Sequence, residues 1–161
     1  MIFSRRAMGV GALTMPLTAL GGSSSFAGLF GPDPPGELAL SLVAGADQNP
    51  DPSGRPSSVA IRLFMLSDIG KFAAADVFGL TEREQQTLGS DGLGSEQFVL
   101  APREIRTITR DLKPGVRFIG VAVLFRDIDH AQWRSTSPVA PTGTSRRALT
   151  VGALSARLTG G

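Results

Sequence analysis

Short runs in which apolar and polar residues alternate, separated by turn-forming residues, recur along most of the chain. The clearest run is 59–66 (VAIRLFML). Its alternate apolar residues share one face: Val59, Ile61, Leu63 and Met65. This alternation predicts a β-strand. Further strands are predicted over these ranges: 37–46, 97–100, 104–109, 116–125, 132–139 and 148–158. Of these, 116–125 is apolar on both faces, which is typical of a central strand covered on both sides.

The segment between about 68 and 89 has a different pattern. Residues 71–77 are rich in alanine, and Thr81 with Glu84 forms a capping-box sequence that predicts a helix starting after Thr81. We therefore expect one or two short helices here. Pro114 followed by Gly115 predicts a type II turn, and 141–143 predicts another turn before the last strand.

Short strands at this spacing, with turns between them, predict an all-β fold. We expect an antiparallel β-sandwich over 37–161, carrying the small helical insertion. A closed barrel is the alternative. The only tryptophan, Trp133, follows the apolar 116–125 strand and is expected in the core rather than at an interface.

Residues 1–27 have the features of an export signal. Arg5 and Arg6 precede a moderately apolar stretch over 7–20, and small residues at 25 and 27 fit a peptidase site. The arginine pair also resembles a twin-arginine signal, so both export routes stay open. Residues 28–36 are predicted to be a linker. The leader contributes two arginines and no acid, which leaves 14 basic and 14 acidic side chains in the remainder.

The residue inventory argues against several classes of function. The balanced charge shows no clustered basic face for nucleic acid. There is no cysteine and a single histidine, so we expect no disulfide, no metal site, no cofactor and no catalytic residues. Asp127, Asp129 and His130 lie close in sequence, but we expect a solvated strand end rather than a metal site.

The polar, proline-rich segment between the first two strands is the candidate site. Its three prolines fix φ and exclude a helix, so the loop is expected to be stiff and to lose little entropy on docking. We predict a partner-binding loop made of Asp47, Gln48, Asn49, Pro50, Asp51, Pro52, Ser53, Gly54, Arg55, Pro56 and Ser57.

Several motifs, in the same order along the chain, resemble the TssJ (VasD, SciN) family of the bacterial type VI secretion system. They are the series over 47–59 (DQNPDPSGRPSSV), then IRLFML at 61–66, FAAADVF at 72–78, FVLAP at 98–102, and VLFRD at 123–127 followed by Ala131, Trp133 and Arg134. The resemblance covers about 37–140.

The resemblance implies a transthyretin-like β-sandwich that serves as a non-enzymatic part of the secretion system's membrane complex. It implies a location in the periplasm, close to the outer membrane. It also implies binding to the periplasmic part of a TssM-like inner-membrane protein, with the 47–57 loop in the contact, and association with other membrane-complex subunits.

This sequence departs from the family at one point. Family members are lipoproteins, and their lipid is carried by a cysteine after the apolar leader, where this chain has Ser23. A serine cannot form the thioether, so we expect no acyl anchor and a soluble periplasmic variant held by its partners. A sequence that differs from the native one is the other explanation.

From the residues alone, a periplasmic small-ligand or carbohydrate-binding sandwich is the alternative function.

Overall fold

A computed structural model describes residues 33–161. The predicted export signal, most of the linker and Ser23 lie outside these residues. The chain forms eight strands in the order β1 (Glu37–Ala44), β2 (Val59–Leu66), β3 (Gly92–Leu100), β4 (Ile105–Asp111), β5 (Phe118–Val123), β6 (Arg134–Pro138), β7 (Thr144–Val151) and β8 (Ala156–Gly160). Three short helices follow β2: α1 (Gly70–Ala74), α2 (Val77–Glu82) and α3 (Glu84–Leu88).

The strands form two four-stranded sheets, with the orders β4-β1-β7-β8 and β3-β2-β5-β6. The predicted all-β sandwich with a small helical insertion is confirmed. One detail differs, because β1 and β7 pair in parallel while all other neighbouring strands are antiparallel. This pairing joins residues far apart in sequence, such as Leu42 and Leu149. The turn residues in the sequence therefore could not predict it.

The main core lies between the two sheets. β1 contributes every second residue to it, and Leu38, Leu40 and Leu42 are fully buried. Ile61 and Val121 do the same from the facing sheet. Alternate burial along each strand follows from the period-two geometry of a β-strand.

A second, smaller core lies under the three helices, on the outer face of β2 and β5. Its buried members are Phe64, Leu66, Phe72, Leu80, Leu88 and Ala122. A Cβ atom at Gly120 would lie 2.8 Å from the Phe72 ring, so only glycine allows the helix to approach this closely. The helices explain why β5 is apolar on both faces, as predicted. Trp133 is half-buried and packs against both cores.

Two of the secondary-structure elements predicted from the sequence are wrong. Thr81 does not cap a helix: it lies inside α2, where its hydroxyl donates to the Val77 carbonyl oxygen at 2.8 Å. Asp76 caps α2 instead, accepting from the Gly79 amide at 2.6 Å. A capping box is a local pattern that carries no information on tertiary packing; here α2 already begins at Val77 and buries Leu80.

The second error concerns the last predicted strand, 148–158, which is in fact a hairpin. β7 ends at Val151 and β8 begins at Ala156, and the Gly152 amide donates to the Ser155 carbonyl oxygen at 2.8 Å.

The turn at Pro114 and Gly115 is as predicted, with Gly115 at φ +90°. Among residues 33–161, no helix is both long and apolar enough to cross a membrane.

Candidate functional site

The predicted partner-binding loop connects β1 to β2 at one end of the sandwich. Three other connections lie at the same end, namely those over 101–104, 124–133 and 152–155, because β3, β5 and β7 all end there. The 47–57 loop is therefore the middle of a surface formed by four connections. Its residues divide into a base (Gln48, Asn49 and Ser57) and a tip (Pro50–Pro56).

The base is part of the protein interior. Gln48 is fully buried and Asn49 is 3% exposed. The Gln48 side-chain amide donates to the carbonyl oxygen of Leu100 at 2.9 Å. It also donates to the Ser57 carbonyl oxygen at 3.3 Å. Because a buried polar group is costly unless it is hydrogen-bonded, these contacts fix where the loop leaves the sandwich.

Asn49 joins the loop to two other parts of the chain. Its amide nitrogen donates to the Ser58 carbonyl oxygen at 2.9 Å, and its side-chain oxygen accepts from the Arg126 backbone amide at 2.9 Å. Its own backbone amide donates to the Ala153 carbonyl oxygen at 3.2 Å. Asn49 has φ +45°, a left-handed conformation that asparagine tolerates better than most residues.

The tip is largely exposed but ordered, and most of its side-chain hydrogen bonds are accepted by one carboxylate. Asp51 Oδ1 accepts from the Ser53 amide at 2.9 Å, the Ser53 hydroxyl at 2.6 Å and the Arg55 amide at 3.0 Å. Asp51 Oδ2 accepts from Arg55 Nε at 3.1 Å. The hydrogen bond from the Ser53 hydroxyl, followed by that from the Arg55 amide, lowers the pKa of Asp51 below its usual value. Gly54 closes the turn at φ +81°.

A surface cavity of about 420 Å³ lies beside the tip. Pro50, Asp51 and Pro52 form one side of it. Arg126, Asp127 and Leu154 from the neighbouring connections form the other side. The sequence did not indicate that these three residues join the loop, because their proximity depends on β5 and β7 ending at the same end of the sandwich.

The connection after β5 carries the three residues considered as a metal site. Asp127, Asp129 and His130 are exposed. His130 Nδ1 lies 2.7 Å from Asp127 Oδ1, and the hydrogen bond and negative charge of Asp127 raise the pKa of His130. Within residues 33–161, no group of three or more histidine, cysteine, aspartate or glutamate side chains is arranged to hold a metal ion.

Comparison with known families and structures assigns the fold. The family model for type VI secretion lipoproteins, described as VasD, EvfM and TssJ, matches residues 36–154. The chain belongs to this family. The match covers β1 to β7, the helical insertion and the 47–57 loop, so the resemblance found in the sequence motifs is confirmed.

Solved structures agree with the family assignment. The type VI secretion lipoprotein TssJ1 from Pseudomonas aeruginosa is 34% identical with a TM-score of 0.76, and the match covers 80% of this chain and 98% of that one. A chain from a type VI membrane complex is 26% identical with a TM-score of 0.66, covering 77% and 96%. A chain from the structure of the TssM C-terminal domain (869-1107) from EAEC is 25% identical with a TM-score of 0.63, covering 76% and 99%. No curated protein sequence matches the chain.

The type VI secretion lipoprotein family supplies structural components of the secretion system's membrane complex, and this chain is one of them. The structure places all eleven residues of the predicted loop in one connection, but it divides them. Gln48 and Asn49 are buried and hold the fold, while 50–56 are accessible to a partner.

Proposed function

We propose that this chain binds the periplasmic part of a TssM-like inner-membrane protein through the tip of the 47–57 loop. The observation that carries this proposal is that the tip is exposed yet already ordered. Asp51 accepts hydrogen bonds from Ser53 and Arg55, and the buried base fixes both ends of the loop. A loop ordered before binding loses less conformational entropy when it docks.

The structural relatives support the choice of partner. One matched chain comes from a type VI membrane complex and another from the structure of a TssM C-terminal domain. Family membership also favours a scaffold over the ligand-binding sandwich that composition had left open. The proposal is therefore a protein–protein contact without catalysis. It needs neither a cofactor nor a metal.

The proposal includes a location. We place the chain in the periplasm close to the outer membrane, exported by the leader over 1–27. The 161 residues contain no cysteine to carry an acyl chain. Contacts with the TssM-like protein and with other subunits of the membrane complex would then hold the domain in position.

The test replaces Pro50, Asp51 and Arg55 with alanine and measures affinity for the purified periplasmic domain of the cognate TssM-like protein. We expect affinity to fall about tenfold or more, because contact residues at the centre of an interface dominate its binding energy. The thermal unfolding midpoint should change little, since the three residues lie outside both cores.

A matched control replaces Asp111, Lys113 and Pro114 with alanine. These three residues have the same composition of acid, base and proline, and lie at the opposite end of the sandwich, where β4 ends. This variant should bind like the unmodified protein. Unchanged affinity in the loop variant would rule out the tip as the contact.

A further inference from the structure

A second exposed feature lies on the far side of the 124–133 connection from the loop. Phe78, the second residue of α2, is 61% exposed. It lines a surface cavity of about 370 Å³ together with Val77, Ile128, Ala131 and Trp133. We call these five residues the Phe78 patch. A largely exposed aromatic ring next to a half-buried tryptophan is typical of an interface anchor rather than of an ordinary protein surface.

The Phe78 patch is held in place by rigid parts of the fold. Trp133 packs against both cores, and the Arg134 guanidinium lies 5.0 Å from the centre of its ring. The same guanidinium donates to the Ala75 carbonyl oxygen at 2.6 Å. That contact ties the start of the 75–78 segment to β6. The patch is therefore formed before any partner arrives.

Carboxylates border the patch. Asp76 and Asp129 both line the cavity and are exposed. Asp76 is used as the cap of α2. Among residues 33–161 neither carboxylate forms an ion pair. A complementary surface would place an apolar side chain against Phe78 and Trp133, with a lysine or arginine next to it.

The patch is also continuous with the loop tip. The 126–131 segment contributes Arg126 and Asp127 to the cavity beside Pro50 and Pro52, and Ile128, Asp129 and Ala131 to the cavity beside Phe78. Asn49 fixes this segment to the loop base through the Arg126 amide at 2.9 Å. One partner docked on the tip would therefore reach the patch without leaving the surface.

We infer that the Phe78 patch is a second contact for the TssM-like protein, and that it accepts an apolar side chain flanked by a basic residue. This inference rests on the proposed function, because it takes the same partner. Together with the loop tip, the patch gives that partner two anchors, one at each of the two cavities lined by the 126–131 segment. It thereby fixes the partner's orientation as well as its attachment.

The experiment measures affinity of the purified protein for the cognate periplasmic domain after Phe78→Ala. We expect a loss of about tenfold or more with an unchanged unfolding midpoint, as for a central aromatic anchor. Asp129→Lys should lower the association rate most at low salt, since it opposes the expected basic residue. The self-association of each variant, in the absence of the partner domain, is measured by analytical ultracentrifugation.

Ile105→Ala is the matched control. Ile105 is 75% exposed at the start of β4, and it lies at the same end of the sandwich but on the other side of the loop. We expect this variant to bind normally. If Ile105→Ala weakens binding and Phe78→Ala does not, the partner lies over the β3–β4 edge and the inference is wrong.

The remaining outcomes separate the two proposals. Loss of binding in the loop variant with normal binding in Phe78→Ala overturns the patch and leaves the loop contact intact. If the unmodified protein does not bind the domain at all, the proposed function itself fails. If Phe78→Ala changes only self-association, the patch is an interface between copies of this chain and the inference is likewise overturned.

Discussion

The base and the tip of the 47–57 loop use similar polar residues in opposite surroundings. At the base, the amides of Gln48 and Asn49 are buried and bond to backbone groups of other segments. At the tip, Asp51 is partly exposed, and its side chain bonds only to residues within four positions of itself. The base thus stabilises the whole domain, whereas the tip stabilises only its own shape, which a partner can use.

The largest expected effect comes from breaking the base. Asn49→Ala removes three side-chain hydrogen bonds and leaves two partly buried backbone groups, the Ser58 carbonyl oxygen and the Arg126 amide, without these partners. We expect the free energy of unfolding to fall by about 3 kcal/mol. The unfolding midpoint should fall by roughly 10 °C, as measured by calorimetry and denaturant titration.

Asn49→Gly is the control for this prediction. It removes the same hydrogen bonds but accepts φ +45° without strain, so it should be more stable than the alanine variant by about 1 kcal/mol. Equal stability of the two variants would show that the backbone is not strained in the alanine protein. A loss below about 1 kcal/mol in both would contradict the role of the base.

An intermediate effect is expected from breaking the tip. Asp51→Ala removes the acceptor that orders Ser53 and Arg55, so the loop should become mobile without a change in the unfolding midpoint. We expect the backbone order parameter of Gly54, measured by ¹⁵N relaxation, to fall below about 0.6.

Asp47→Ala is the comparison for the tip. It removes one exposed carboxylate from the same loop but none of the hydrogen bonds made by Asp51, so the order parameter of Gly54 should stay high. If Gly54 remains ordered in Asp51→Ala as well, the three prolines and the backbone hydrogen bonds between Asp51, Gly54 and Arg55 are sufficient to hold the tip. The order of the tip would then depend on its backbone rather than on the carboxylate.

The smallest effect concerns the exposed contact between Asp127 and His130, beside the tip. The pKa of His130 is raised above its usual 6.5, so the contact stabilises the folded state below the unfolded pKa and is lost as pH rises through the folded pKa. Asp127→Asn should lower the pKa of His130 toward 6.5 in an NMR titration. Stability should hardly change, since both side chains are exposed. An unchanged pKa would mean that the two side chains do not interact in solution.

The local patterns of the sequence were sufficient for most of the fold. Alternation over 59–66 gave β2 with its bounds, and the apolar 116–125 run indicated a strand covered on both faces. The motifs around the loop identified the family. Local patterns failed at Thr81, where a capping box lies inside a helix, and over 148–158, where one apolar run contains a hairpin.

By itself, the sequence determined most of the segments that form strands, that residues 47–57 form a non-helical loop, and to which family the chain belongs. Those properties follow from local spacing and from the fixed φ of proline. The tertiary structure alone decided the parallel pairing of β1 with β7, the burial of Gln48 and Asn49, and the placement of Phe78 beside Ile128 and Trp133. These depend on contacts between residues distant in the chain, where packing and desolvation, rather than local propensity, set the free energy.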